Sequence, residues 1–241
     1  MAKRKVIGPC ALCQVERQLC RSHVLPEFMY AKSYDEDGTF ISLSSHPQRK
    51  PRPFQVGARE HMLCSECEGR LSVYEAYSAD LLRSIDAIPY RGQKGAEVEY
   101  DYSRFKLFGI SLLWRSHVSR LHEYQRFSVG PLAEDMRRML LADDPGAARM
   151  CPFTAARFVG SEAAQHTIHV PMNLKLNGQH VVFFPAFGYQ WLFITSRRSH
   201  SIPDSWPLVG FTDKLVVPFK PTTDARFMAW LKSKMTPDLL N

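Results

Sequence analysis

Four cysteines and one histidine carry most of the chemistry in the N-terminal part of this chain. Cys10-Ala11-Leu12-Cys13 and Cys64-Ser65-Glu66-Cys67 are CxxC pairs separated by 50 residues, and Ser22-His23-Val24-Leu25-Pro26 lies between them. Two such pairs supply four thiolates, the donor set that tetrahedral Zn2+ takes in structural sites. A zinc held by Cys10, Cys13, Cys64 and Cys67 would have no open position for water, so its expected role is structural. A histidine titrates near neutral pH and suits a general base. Of the six cysteines, only Cys20 and Cys151 stand outside the pairs. That usage fits zinc in a reducing cytoplasm better than a disulfide framework.

The elements that must hold these groups can be read around them. Gly8-Pro9 ahead of the first pair suits a tight knuckle. The second pair opens an amphipathic segment, so Cys64 and Cys67 are expected at a helix N-terminus, where the dipole favours thiolates. That helix is expected over 64–88, with Leu71, Tyr74, Ser78, Leu81, Leu82 and Ile85 as its buried stripe and Pro89 as its end. A strand should carry His23 and stop before Pro26, which cannot donate to a ladder; a short helix should follow from Glu27. Knuckle, hairpin and helix in that order make a treble-clef zinc finger.

CxxC, a strand ending in Ser-His-aliphatic-aliphatic-Pro, and Leu-Cys-x-x-Cys opening a helix together resemble an HNH nuclease of the ββα-metal kind. The resemblance implies an endonuclease that cleaves phosphodiester bonds, of DNA more than RNA. In it His23 is the general base, and Glu68 is the helix residue that holds a catalytic Mg2+ or Mn2+. Three departures are plain in the sequence: no Asn precedes Asn173, the helix position is Glu68 instead of His or Asn, and the residue before the base is Ser22. Arg59, Glu60 and His61 fall near where the Asn would lie, so His61 or Glu60 is the candidate substitute, and either is also a candidate to hold the cation with Glu68. Glu75, seven residues after Glu68, shares its helix face and is a further candidate for the cation. A wider pattern, including Phe-Lys-Leu-Phe-x-x-Ser-x-Leu-Trp-Arg over 105–115, also resembles a mostly uncharacterised bacterial family. From it follows the expectation of an effector in antiviral (phage) defence, working with a protein partner. The HNH resemblance adds the alternative of a homodimer. The competing reading is a non-catalytic zinc-finger subunit that binds nucleic acid or protein.

With 241 residues and 45% hydrophobic side chains the chain can bury a core, and its net charge of +7 suits a polyanionic partner. Gln48 to Pro53 is basic and extended, and Arg49, Lys50 and Arg52 are expected to lie along a nucleic-acid backbone, or else in a solvated loop. The most apolar run, Leu107 to Trp114, is too short to span a bilayer. The expected class is α+β in three parts. These are a zinc-binding HNH-like unit over 1–90, a helical packing region over 91–150, and an antiparallel β-rich unit with a C-terminal helix over 151–241. In the last part Thr167 to Val170 alternates as a strand would, Leu174–Leu176 and His180–Phe184 flank the hairpin turn Asn177-Gly178, and further strands are expected at Tyr189–Thr195 and Lys214–Pro218.

Overall fold

The computed structural model describes residues 5–37, 40–42, 52–54, 57–176, 178–196, 202 and 206–235, with the backbone alone at 40–42, 52–54 and 231–235. Its N-terminal part is a three-stranded sheet in the order β1-β2-β5, from β1 (Ile7–Pro9), β2 (Glu16–His23) and β5 (Arg59–Cys64). A two-stranded antiparallel pair, β3 (Phe40–Ser42) and β4 (Arg52–Phe54), lies between β2 and β5 in the chain. β2 stops at His23, and the expected short helix after Pro26 is a single 3-10 turn over Glu27–Tyr30.

Helix α1 (Ser65–Asp86) leaves β5 without a loop, and all six residues of the expected stripe are buried. Helix α2 (Tyr102–Val118) is capped by Asp101, whose side chain accepts from the Arg104 N–H. It is buried from Phe105 to Ser116 and packs between α1 and α3 (Leu132–Ala142). Gly109 permits one of its closest contacts, since a Cβ there would lie 2.5 Å from the Phe153 ring.

The remaining strands form a six-stranded sheet in the order β6-β11-β7-β10-β9-β8: β6 (Gly95–Val98), β7 (Phe153–Val159), β8 (Met172–Leu176), β9 (Gln179–Ala186), β10 (Tyr189–Ile194) and β11 (Leu215–Pro221). The sheet is mixed, not antiparallel as expected, because β11 pairs parallel with β7. Residue periodicity reports which face is buried and carries no strand direction. The expected hairpin is there, with β8 against β9. Thr167 to Val170 is not a strand. The Thr167 hydroxyl bonds back to Ala163 in α4 (Glu162–His166), and Pro171 interrupts any ladder. Helix α5 (Asp224–Met235) follows β11.

One apolar core runs through most of this, with two smaller clusters beside it, one of Phe158, Ala164 and Phe227 and one around Val181 and Ile194. Phe28, just after β2, packs on Phe108 of α2 and on Phe187, with ring centroids 5.7 and 5.5 Å apart. Phe105, Phe153, Trp191 and Phe193 continue it beneath the large sheet. Among the described residues no helix is long and apolar enough to cross a membrane.

Candidate functional site

The two CxxC pairs meet. β1 and β2 form a hairpin whose turn is closed by Gln14 N–H to Cys10 carbonyl (2.8 Å) and Cys10 N–H to Val15 carbonyl (3.0 Å), with Gln14 at φ 62°. This turn presents Cys10 and Cys13. On the other side Cys64 ends β5 and caps α1, while Cys67 sits in the first turn. The four sulfurs lie within 4.8 Å of one another, and Cys13 and Cys64 are 4.0 Å apart. Four thiolates at ~2.3 Å from a zinc stand roughly 3.8 Å from each other, so the spacing fits a tetrahedral ion. It is far too long for a disulfide, which needs about 2.05 Å.

The electrostatics agree with that fit. Burial raises the Cys10 thiol, but amide N–H groups of Cys13, Cys64 and Leu12 outweigh it and bring it down to about 7. Burial raises Cys67, and the neighbouring sulfurs of the cluster add to it; burial also raises Cys13, against the Val15 backbone, with Cys10 adding to it. Four thiols with no cation resist joint ionisation; a divalent ion removes that penalty. Arg17, paired with Glu66 at 2.5 Å, adds positive charge beside Cys64 and Cys13. Cys20 stands outside the cluster, and its thiol is raised by burial, then by Glu68, Cys64 and Cys10.

A second polar group surrounds His23. The register of β2 with β5 sets His23 opposite Arg59, and cross-strand partners share a face. The single turn after Pro26 then brings Glu27 back. Glu27 Oε2 is 2.6 Å from His23 Nε2, Arg59 Nε is 2.5 Å from the same nitrogen, and Arg59 Nη2 is 3.4 Å from Glu27 Oε2. Tyr34 donates its hydroxyl to Glu27 Oε1, and Gly57 N–H lies 3.4 Å from Oε2. Gly57 can approach because it has no side chain; a Cβ would meet the Tyr30 ring at 2.5 Å. Burial, then the Arg59 charge, hold the His23 imidazolium below its ordinary range, so the ring is neutral near pH 7. Burial raises the Glu27 carboxyl, but Tyr34, His23 and Arg59 more than reverse it and keep it ionised. One nitrogen cannot both donate to Glu27 and accept from Arg59. With the proton on Nε2, Glu27 holds it and Nδ1 has no partner among the described residues; with the proton on Nδ1, Nε2 accepts from Arg59 Nε–H.

The other expected site residues are placed apart. Glu68 lies in the first turn of α1, with Oε1 buried and without a partner among the described residues. His61 is exposed, its Nδ1 3.2 Å from the Leu19 carbonyl. Glu60 accepts from the Ser119 hydroxyl and from the Arg120 N–H at 3.0 Å, so it secures the chain after α2. Glu75 pairs with Arg115 at 2.8 Å. Ser22 is buried and accepts from the Leu63 N–H. Among the described residues the only close group of three or more such ligands is the cysteine cluster, so His23, Glu68, His61 and Glu75 do not assemble one for Mg2+ or Mn2+. Arg49 and Lys50 lie outside the described residues, as does the side chain of Arg52. Sequence reasoning passed over Glu27, Tyr34 and Arg115; a usable signal was Glu27 four residues after His23, just past a proline. No family model, curated protein or solved structure matches this chain.

Proposed function

We propose that this chain is a zinc-stapled phosphodiesterase of nucleic acid, an HNH-like endonuclease built on a treble clef, with His23 as general base. The observation that carries this is the 2.6 Å contact between His23 Nε2 and Glu27 Oε2 in a setting that keeps the imidazole neutral. Glu27 does the orienting work for which the sequence offered no Asn: it fixes the ring and leaves Nδ1 as the proton acceptor. A water losing its proton to Nδ1 attacks phosphorus, the bond to the departing sugar oxygen breaks, and that oxygen takes a proton from solvent. Arg59 is the cation closest to the base and offsets charge on the phosphate. The expected cation ligands do not fit a shared ion here, so no step runs through one.

That same lack of a ligand cluster favours a second reading, a zinc-stabilised module that binds nucleic acid without cutting it. A cleavage assay separates the two. Zinc-loaded protein is incubated with plasmid DNA, single-stranded DNA and RNA, each in Mg2+, Mn2+ or EDTA, beside His23→Ala and Glu27→Gln. Loss of activity by on the order of 100-fold in His23→Ala is expected. Cutting that survives His23→Ala sinks the base assignment. A folded wild type that shifts DNA on a gel but never cuts it is the binding module.

A further inference from the structure

Arg115 is 1% exposed and directly follows the apolar run Leu107–Trp114 of α2. A guanidinium is buried at large cost unless it is paired and hydrogen-bonded. Its Nη1 lies 2.8 Å from Glu75 Oε1 and donates to the main-chain carbonyl of His23 at 3.2 Å; Nη2 lies 3.4 Å from Ser111 Oγ. Three separate elements, α1 through Glu75, α2 through Arg115 and the last residue of β2, are tied at one point. The other buried cation of α2 works in the same way elsewhere: Lys106 Nζ donates to the carbonyls of Met150 and Cys151 at 2.8 and 3.0 Å. The two charged members of the 105–115 motif, Lys106 and Arg115, are therefore ties from a central helix, and the one at Arg115 ends on the histidine.

We propose that Arg115, with Glu75 as its counter-charge, is the positioning residue of the His23 site: it clamps the His23 carbonyl so that the imidazole meets Glu27 and Nδ1 faces outward. This rests on His23 acting as general base. The clamp needs arginine, because Nη1 serves both Glu75 and the carbonyl while Nη2 reaches Ser111 and fixes the plane of the guanidinium, whereas an ammonium is a point charge on a flexible stem. It also accounts for Glu75, a carboxylate on the His23 side of α1 that is spent on Arg115.

The test uses the full-length, zinc-loaded protein with Arg115→Lys and Glu75→Gln, and Arg157→Lys as a control. Arg157 is a half-buried arginine that binds the carbonyls of Ile85, Asp86 and Ile88 at the far end of α1. Plasmid cleavage is measured as kcat and KM, and the ring 15N signals of His23 are read by NMR, assigned with His23→Gln. Arg115→Lys and Glu75→Gln should each lower kcat about 10- to 100-fold with KM within about twofold. Both should move the His23 ring from one tautomer to an averaged signal, while Arg157→Lys leaves the ring signals in place. Unmoved ring signals in both variants, or a kcat loss that Arg157→Lys matches, would overturn the proposal. A wild type that cuts no nucleic acid removes the nuclease reading, and the ring signals then still decide whether Arg115 positions His23.

Discussion

Replacing Cys64 by serine should strip the metal and loosen the whole N-terminal unit. Cys64 does three jobs at once: it ends β5, caps α1, and donates its N–H to Cys10 Sγ at 3.3 Å. It is 2% exposed, so a serine there cannot recover its lost partner from solvent. Structural zinc contributes roughly 10–16 kcal/mol in isolated fingers, and a variant that loses the ion loses that contribution whole. In a domain of this size each kcal/mol moves Tm by about 2–4 °C, so a fall of about 20 °C or more is expected. Cys20→Ser is the matched control. Cys20 lies on the neighbouring strand β2 of the same sheet but outside the cluster, and its replacement should cost no more than about 0.5 kcal/mol. The assay is metal content per chain by mass spectrometry, with thermal melts before and after a strong chelator. Stoichiometric zinc in the wild type, its loss in Cys64→Ser, and a chelator effect confined to the wild type and Cys20→Ser are the expected results. Wild-type protein that melts normally with no zinc, or Cys20→Ser as damaging as Cys64→Ser, would refute the closed-site reasoning.

Two further outcomes follow from packing and protonation. Gly109→Ala sets a Cβ 2.5 Å from two carbons of the Phe153 ring, which is itself fully buried, so overpacking should cost about 1–3 kcal/mol in urea unfolding; an unchanged midpoint would mean the helix and ring can part freely. Burial lowers the pKa of His23, His117 and His169, so the unfolded chain, with histidines near 6.5, takes up protons first on acidification. The stability they allow is present above about pH 6.5 and is lost as pH falls through the lower folded values, so the urea midpoint should drop between pH 7.5 and 5.5. If the midpoint is level there, these rings are not held neutral.

The parts of the fold that were legible are those with a one-sided burial pattern. α1 could be read because Leu71, Tyr74, Ser78, Leu81, Leu82 and Ile85 recur at helical spacing and all face inward. The β8–β9 hairpin could be read because a strong turn pair separates two short apolar runs. β7 could not: five of the seven residues in Phe153–Val159 are buried, including adjacent ones, so the strand shows no alternation. The four-cysteine cluster was legible because its spacing is local within each pair, and the fold only has to bring two pairs together.

The His23 site was legible only at its centre, for a physical reason that its neighbours make clear. His23 and Glu27 are close in sequence, yet a strand residue and a helix residue four apart would not meet without the turn at Pro26. Arg59 reaches His23 only through the β2–β5 register, which shifts between Leu19 and Arg21. Arg115 is 92 residues from His23 and enters through the core. Glu75 shows the limit best. Its place on the helix edge was readable, and helical spacing gave it a carboxylate on the His23 side of α1. What it binds was decided by Arg115, a buried charge that follows the apolar run of α2. A cation that cannot reach water must find acceptors: Lys106 finds two carbonyls, and Arg115 finds a carbonyl and the carboxylate that sequence spacing alone had offered to a metal.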